Sequence, residues 1–269
     1  MLGSSRDSLT ALQAAVAGRS GDEGFASAAQ DLLNVVATLS ADKSLRTALA
    51  DSGQPQAARE SLVRELFGSR ISAIATDILV AVAGSRWTSE DDLVEAVEAL
   101  AAQIVFASAE KAGVLDRIEE ELFLFGRAVD ANAELQMTMT NPALPGSAKT
   151  SVVHDVLAGR AAEGAHLLLG HIAANLRGRR VDAALKSLSD IAASQRNRVV
   201  ADVRVAIALT DDQSARLAAA LGRLADKQVS LNVVVDPSVI GGVSVRLGGE
   251  VIDGSVASRL ELARRTLVG

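Results

Sequence analysis

Apolar side chains recur every three to four residues through the first two thirds of the chain and every second residue in the last third. Phe25, Ala28, Leu32, Val35, Val36 and Leu39 fall on one face of a helix, as do Leu115, Ile118, Leu122, Phe125 and Val129. Asp51 to Pro55 and Asn141 to Ser147 break the pattern, and Ser147 offers a cap for the next helix. Ser85 to Ser89 is a turn, and an amphipathic helix resumes from Leu93 to Leu100. In the last third Val199, Ala201, Val203, Val205, Ile207 and Leu209 alternate as in a strand with one buried face. Thr210 and Asp211 then offer a cap before a helix over 213–224. A second alternating run, Val229 to Val235, is stopped at Asp236-Pro237, because proline cannot donate to a sheet ladder. Gly241-Gly242 opens a strand over 243–247, and Gly248-Gly249 turns the chain into Val251-Ile252. Asp253-Gly254-Ser255 ends that strand, with Ser255 capping an amphipathic run from Val256 to Leu267. The pattern predicts two tandem helical bundles followed by a small α+β domain with a mostly antiparallel sheet.

The helical part repeats itself. Residues 25–83 align without a gap on residues 115–173, at an offset of 90. Apolar positions coincide, as at Leu32 and Leu122 or Leu49 and Met139, and so does punctuation, as at Pro55 and Pro145 or Ser61 and Ser151. The period is too long for a short-repeat solenoid, so each copy reads as a whole domain. The expected boundaries are 1–104 for the first copy, 105–198 for the second and 199–269 for the α+β domain.

Composition narrows the classes. The chain has 269 residues, 49% of them apolar but only 2% aromatic, so its cores are built from Ala, Leu and Val. It has no Cys, which excludes disulfides and thiolate metal sites and suits a cytosolic protein. The first 24 residues lack the basic start and apolar core of a secretory signal. The longest apolar run, Ile78 to Gly84, is far shorter than a membrane span, so no direct membrane insertion is expected. Net charge is −6, and residues 1–104, with 8 basic and 14 acidic side chains, carry all of the excess. An acidic solvated face explains this more simply than a basic partner, and general nucleic-acid binding would call for a basic chain.

Few constellations carry chemistry. Gly241-Gly242 and Gly248-Gly249 lie between strands with no Lys-Ser/Thr following, which fits hairpin turns rather than a phosphate cradle. His166 and His171 are five apart, so they do not stack as a helical zinc pair does, and neither metal nor cofactor is expected. Arg177-Gly178-Arg179-Arg180 is a basic knot without aromatic residues and reads as a solvated turn. Met137 and Met139 read as packing residues, and Trp87 as either core or contact.

The C-terminal stretch resembles the ATP synthase delta subunit, the oligomycin-sensitivity-conferral protein family. The residues that carry the resemblance are Asp236, Ile240-Gly241-Gly242, the strand over 243–247, Gly248, Asp253-Gly254-Ser255, Arg259-Leu260 and Leu267. It extends upstream through Gln195 to Arg198 and to Asn175-Leu176-Arg177, where the family's usual middle glycine is replaced by leucine. Residues 105–269 look like one delta subunit, and residues 1–104 like a second, diverged helical domain. That long form is similar to delta subunits of high-GC Gram-positive (actinobacterial) bacteria.

The resemblance implies a non-catalytic peripheral-stalk subunit of a proton-translocating ATP synthase, on the cytoplasmic face of the cell membrane. It implies two partners: the N-terminal helices of alpha subunits and the end of the b-subunit stalk. It implies a groove between the first and fifth helices of the second copy, with Leu167 and His171 as candidate alpha contacts. The first copy is expected to fold as a separate bundle that extends the stator towards the b stalk, the alternative being a head-contacting domain. Two other classes stay open: an unrelated tandem helical scaffold, and a small-molecule enzyme using the glycine-rich domain.

Overall fold

The computed structural model describes residues 1, 3–196, 198–225, 227–236, 241–247 and 250–253. Its contacts divide the chain into two units, the first made of Met1–Val16 and Ser20–Gln195 and the second of the remainder. The first unit is helical: α1 (Ser4–Ala17), α2 (Ala28–Ala41), α3 (Lys43–Ala50), α4 (Gln56–Phe67), α5 (Ala73–Gly84), α6 (Glu90–Lys111), α7 (Leu115–Ala131), α8 (Ala133–Thr140), α9 (Gly146–Val156), α10 (Glu163–Ala174) and α11 (Val181–Arg196).

The duplication is visible in single hydrogen bonds. Asp31 accepts from the Ser72 amide at 2.8 Å, before the start of α5. Ninety residues on, Glu121 accepts from the Ala162 amide at 2.9 Å, before the start of α10. Asp42 and Asn132 cap α3 and α8 through the amides of Leu45 and Leu135, at 3.0 and 3.1 Å. Asp51 and Asn141 each hold the amide two residues on at 2.9 Å. Such bonds satisfy amides that a helix or turn leaves without backbone partners.

Helix for helix, α1–α6 is repeated as α6–α11, so α6 is the last helix of the first copy and the first helix of the second. This double use explains its composition. α6 buries Leu93, Val94, Val97, Leu100, Ile104, Val105 and Phe106, which point to all sides of the helix. A helix that is apolar all round is one that is packed all round. The boundary expected at 104/105 therefore falls inside α6, and the two copies are not parted there. Residues of both, from Leu32 and Leu79 to Leu122 and Leu169, lie in one continuous core. Helices of both copies pack against this one helix.

Smaller expectations are also corrected. Pro145, not Ser147, occupies the cap position of α9, whose first turn contains Ser147. Met139 is buried but Met137 is 72% exposed. Trp87 is core, its Nε1 donating to the Val82 carbonyl at 2.8 Å. Ser89 caps α6 through the Asp92 amide at 3.1 Å, and Glu90, Asp91 and Asp92 lie in its first turn, where they complement the helix dipole.

The second unit contains β1 (Arg198–Val205), α12 (Asp211–Ala225), β2 (Gln228–Val235), β3 (Val243–Leu247) and β4 (Glu250–Asp253). The sheet order is β2-β1-β3-β4. β1 pairs with β3 and β3 with β4 in antiparallel fashion, but β1 and β2 are parallel, in register from Arg198 and Gln228 to Val205 and Val235. The sheet is thus mixed rather than antiparallel throughout. α12 is the cause, because a helical crossover returns the chain to the same end of the sheet. Thr210 and Gln213 form a reciprocal capping box at its start, with bonds of 2.9 and 3.3 Å. Leu217 and Leu221 of α12 pack in a small core with Ala201, Val203, Val205 and Val245.

Candidate docking site

The first and fifth helices of the second copy, α6 and α10, meet at Gly164. A Cβ placed on Gly164 would sit 2.7 Å from both Val105 Cγ1 and Ile118 Cδ1, so only glycine permits this approach of α10 to α6 and α7. Above the contact runs a groove of about 1080 Å³. Val105, Ser108 and Ala109 of α6 and Ala112 just after it line it, and all but Val105 are small. Glu163, Leu167, Gly170 and Ala174 line it from α10. α2, from the first copy, contributes Gln30, Asn34 and Ala37 at helical spacing. Leu167 thus lines the groove, while half-buried against the core.

His171 reaches the groove edge but is committed elsewhere. Its side chain is only 6% exposed, and Nε2 lies 3.3 Å from Oε1 of Glu98 on α6, a close contact without hydrogen-bond alignment. Glu98 is the centre of a buried cluster. Arg177 donates to its Oε2 at 2.6 Å and Arg179 to its Oε1 at 2.8 Å. Burial alone would raise the pKa of the Glu98 carboxyl. The adjoining His171, the Arg179 hydrogen bond and the charges of Arg177 and Arg179 outweigh burial and hold it down at about 2. Two of the arginines read as a solvated knot are therefore ion-paired to a buried carboxylate. Only Arg180 is solvated, paired with exposed Asp182 at 2.9 Å. Sequence reading missed Glu98, because Glu95 one turn before it and the acidic first turn of α6 make it look like part of a solvated face.

The same cluster explains the turn that departs from the family pattern. Leu176, where the family has glycine, is buried, and the left-handed positions fall instead on Arg177 (φ 51°) and Gly178 (φ 76°). A left-handed arginine is strained, and the ion pair to Glu98 holds it there.

In the second unit the Asp236 amide donates to the Val205 carbonyl at 2.8 Å, one residue past the paired ends of β1 and β2. Gly241 and Gly242 have φ of 70° and 81°, conformations in which a Cβ is disfavoured. Asp253 ends β4. Ile240, Gly248, Gly254, Ser255, Arg259 and Leu260 lie outside the described residues. Among the described residues no cluster of His, Asp and Glu has the makings of a metal site, and no helix is long and apolar enough to cross a membrane.

A long helical unit bearing an open groove, followed in the chain by a small α+β unit, defines a mostly helical protein with a small α+β C-terminal part. The family model for the ATP synthase delta (OSCP) subunit matches residues 97–267, from within α6 onward. The ATP synthase subunit delta of Streptomyces avermitilis is 44% identical, over 89% of this chain and 88% of the relative. That of Nocardia farcinica is 40% identical, over 96% and 94%. That of Streptomyces coelicolor is 40% identical over 99% and 98%, so the first copy is part of what is shared. A chain of the Toxoplasma gondii mitochondrial ATP synthase hexamer is a remote structural neighbour, 19% identical, with a TM-score of 0.28, covering 62% of this chain and 95% of that one. The chain belongs to the ATP synthase delta (OSCP) subunit family.

Proposed function

We propose that the protein is a non-catalytic peripheral-stalk subunit that links the alpha/beta head of a proton-translocating ATP synthase to its b-subunit stalk. It holds the head still against the torque of the rotor, on the cytoplasmic face of the membrane. The groove over α6 and α10 is the observation that carries this reading. Taking an α-helix as a cylinder about 10–12 Å wide with a rise of ~1.5 Å per residue, 1080 Å³ accommodates roughly two helical turns. An amphipathic N-terminal helix of an alpha subunit fits such a groove as helix-in-groove ligands do. The end of the b stalk binds the C-terminal unit. A stator acts through the stiffness and persistence of these contacts and needs no turnover.

The experiment is co-purification of the tagged full chain with the alpha and b subunits. Both should be retained, and Leu167→Glu, which places a charge in the groove, should release alpha while leaving b bound. Recovery of neither subunit by the folded wild-type chain would refute the proposal.

A further inference from the structure

Besides α6 and α10, with Ile118 of α7 and Thr150 of α9, the groove is lined by α2, which comes from the repeat that lies ahead of the family match. Gln30, Asn34 and Ala37 occupy successive turns of α2 and are exposed, facing the open space rather than the core. Gln30 Nε2 donates to Asn34 Oδ1 at 3.1 Å, so this wall carries a polar pair, while α6 contributes Val105, Ser108 and Ala109. The lining also has a definite charge. It includes the carboxylates Asp31 on α2 and Glu163 on α10 and no Lys or Arg. Asp31 is held in place by accepting from the Ser72 amide at 2.8 Å. The groove lining thus carries a carboxylate on each of α2 and α10, beside His166 and His171.

We propose that the first copy forms one wall of the alpha-docking groove and selects its ligand: a helix with an apolar stripe towards α6 and α10 and a basic, hydrogen-bonding flank towards α2. The inference rests on the docking reading above but goes beyond it. α2 adds to the groove a wall that the second copy does not supply. The additional repeat then acts at the head-binding site itself, not as a lengthening of the stator towards the stalk. Because α6 belongs to both repeats, α2 is fixed relative to α10 through a shared helix, which gives the groove a constant width. A groove with this added wall resists sideways displacement of the bound helix better than one without it, and that is the direction in which a stator contact is loaded.

The test titrates a peptide of the alpha-subunit N-terminus into the full chain by calorimetry. Three variants are compared: Leu167→Glu in the α10 wall, and Ala37→Trp and Asn34→Lys in the α2 wall. Ala37 and Asn34 are exposed, so these two changes leave the core intact, and an unchanged Trp87 unfolding transition in Asn34→Lys checks this. Ala37→Trp is checked by its helical circular dichroism, since it adds a second indole. Wild-type protein should bind, Leu167→Glu should abolish binding, and each α2 variant should weaken it at least tenfold. Wild-type-like binding by both α2 variants, with Leu167→Glu still inactive, would overturn the role of the first copy and leave the docking reading standing. Absence of binding to the wild-type chain would overturn the docking reading and this inference with it.

Discussion

Replacing Glu98 by glutamine keeps the shape of the buried cluster and removes its negative charge, leaving Arg177 and Arg179 to face each other without a counter-ion. The cost follows from the structure in two ways. A carboxyl held at about 2 instead of its ordinary 4.5 is stabilised in its charged form by about 3 kcal/mol. Breaking a buried ion pair by removing one partner costs about 3–5 kcal/mol. The Arg177 and Arg179 side chains are 18% and 24% exposed, so water takes up part of their charge and the lower end applies. The expected loss near neutral pH is therefore about 3 kcal/mol. Urea unfolding followed by tryptophan fluorescence measures it directly, since Trp87 is the only tryptophan in the chain and is buried in the helical unit. The pH dependence has a fixed sign. The folded-state pKa is depressed, so the stabilisation is full above 4.5 and is lost as pH falls towards 2. The difference between wild type and Glu98→Gln should close over that window, other carboxylates cancelling in the comparison. A deficit below about 1 kcal/mol at pH 7, within the range of an ordinary surface pair, would refute the argument. So would a deficit that does not narrow as pH falls from 4.5.

A fragment of residues 105–269 loses most of α6, including Leu93, Val97, Leu100 and Glu98, and should show low helicity and no cooperative transition in its helical part by circular dichroism. A soluble, cooperatively folding fragment would instead restore the boundary at 104/105. Gly241→Val should destabilise the second unit by about 1 kcal/mol or more through its positive φ, seen as faster amide exchange in β3 with the Trp87 transition unmoved. Unaltered exchange would argue against the turn.

Local pattern determined most of the secondary structure. The spacing of Leu115, Ile118, Leu122, Phe125 and Val129 identifies the buried face of α7 because a helix returns every 3.6 residues to the same side, whatever it packs against. The repeat was also legible, since matched punctuation at Pro55 and Pro145 reflects matched turns. The double role of α6 was not. Its sequence shows apolar residues on every face, which establishes that it is surrounded but not by which helices, and a boundary drawn from repeat arithmetic cuts through it. The Glu98 cluster was illegible for a related reason. Arg177 and Arg179 are 79 and 81 residues away, and a charged side chain looks the same in sequence whether it faces water or a buried partner. Strand direction belongs with these. Alternation in β1 and β2 fixes which side chains share a face, but only the path of α12 between them makes the pair parallel. The groove, finally, exists because Gly164 lets α10 approach α6 while α2, from the other copy, adds a wall. Periodicity is a property of neighbours in the chain, whereas a groove is a property of neighbours in space, and folding alone brings the second kind together.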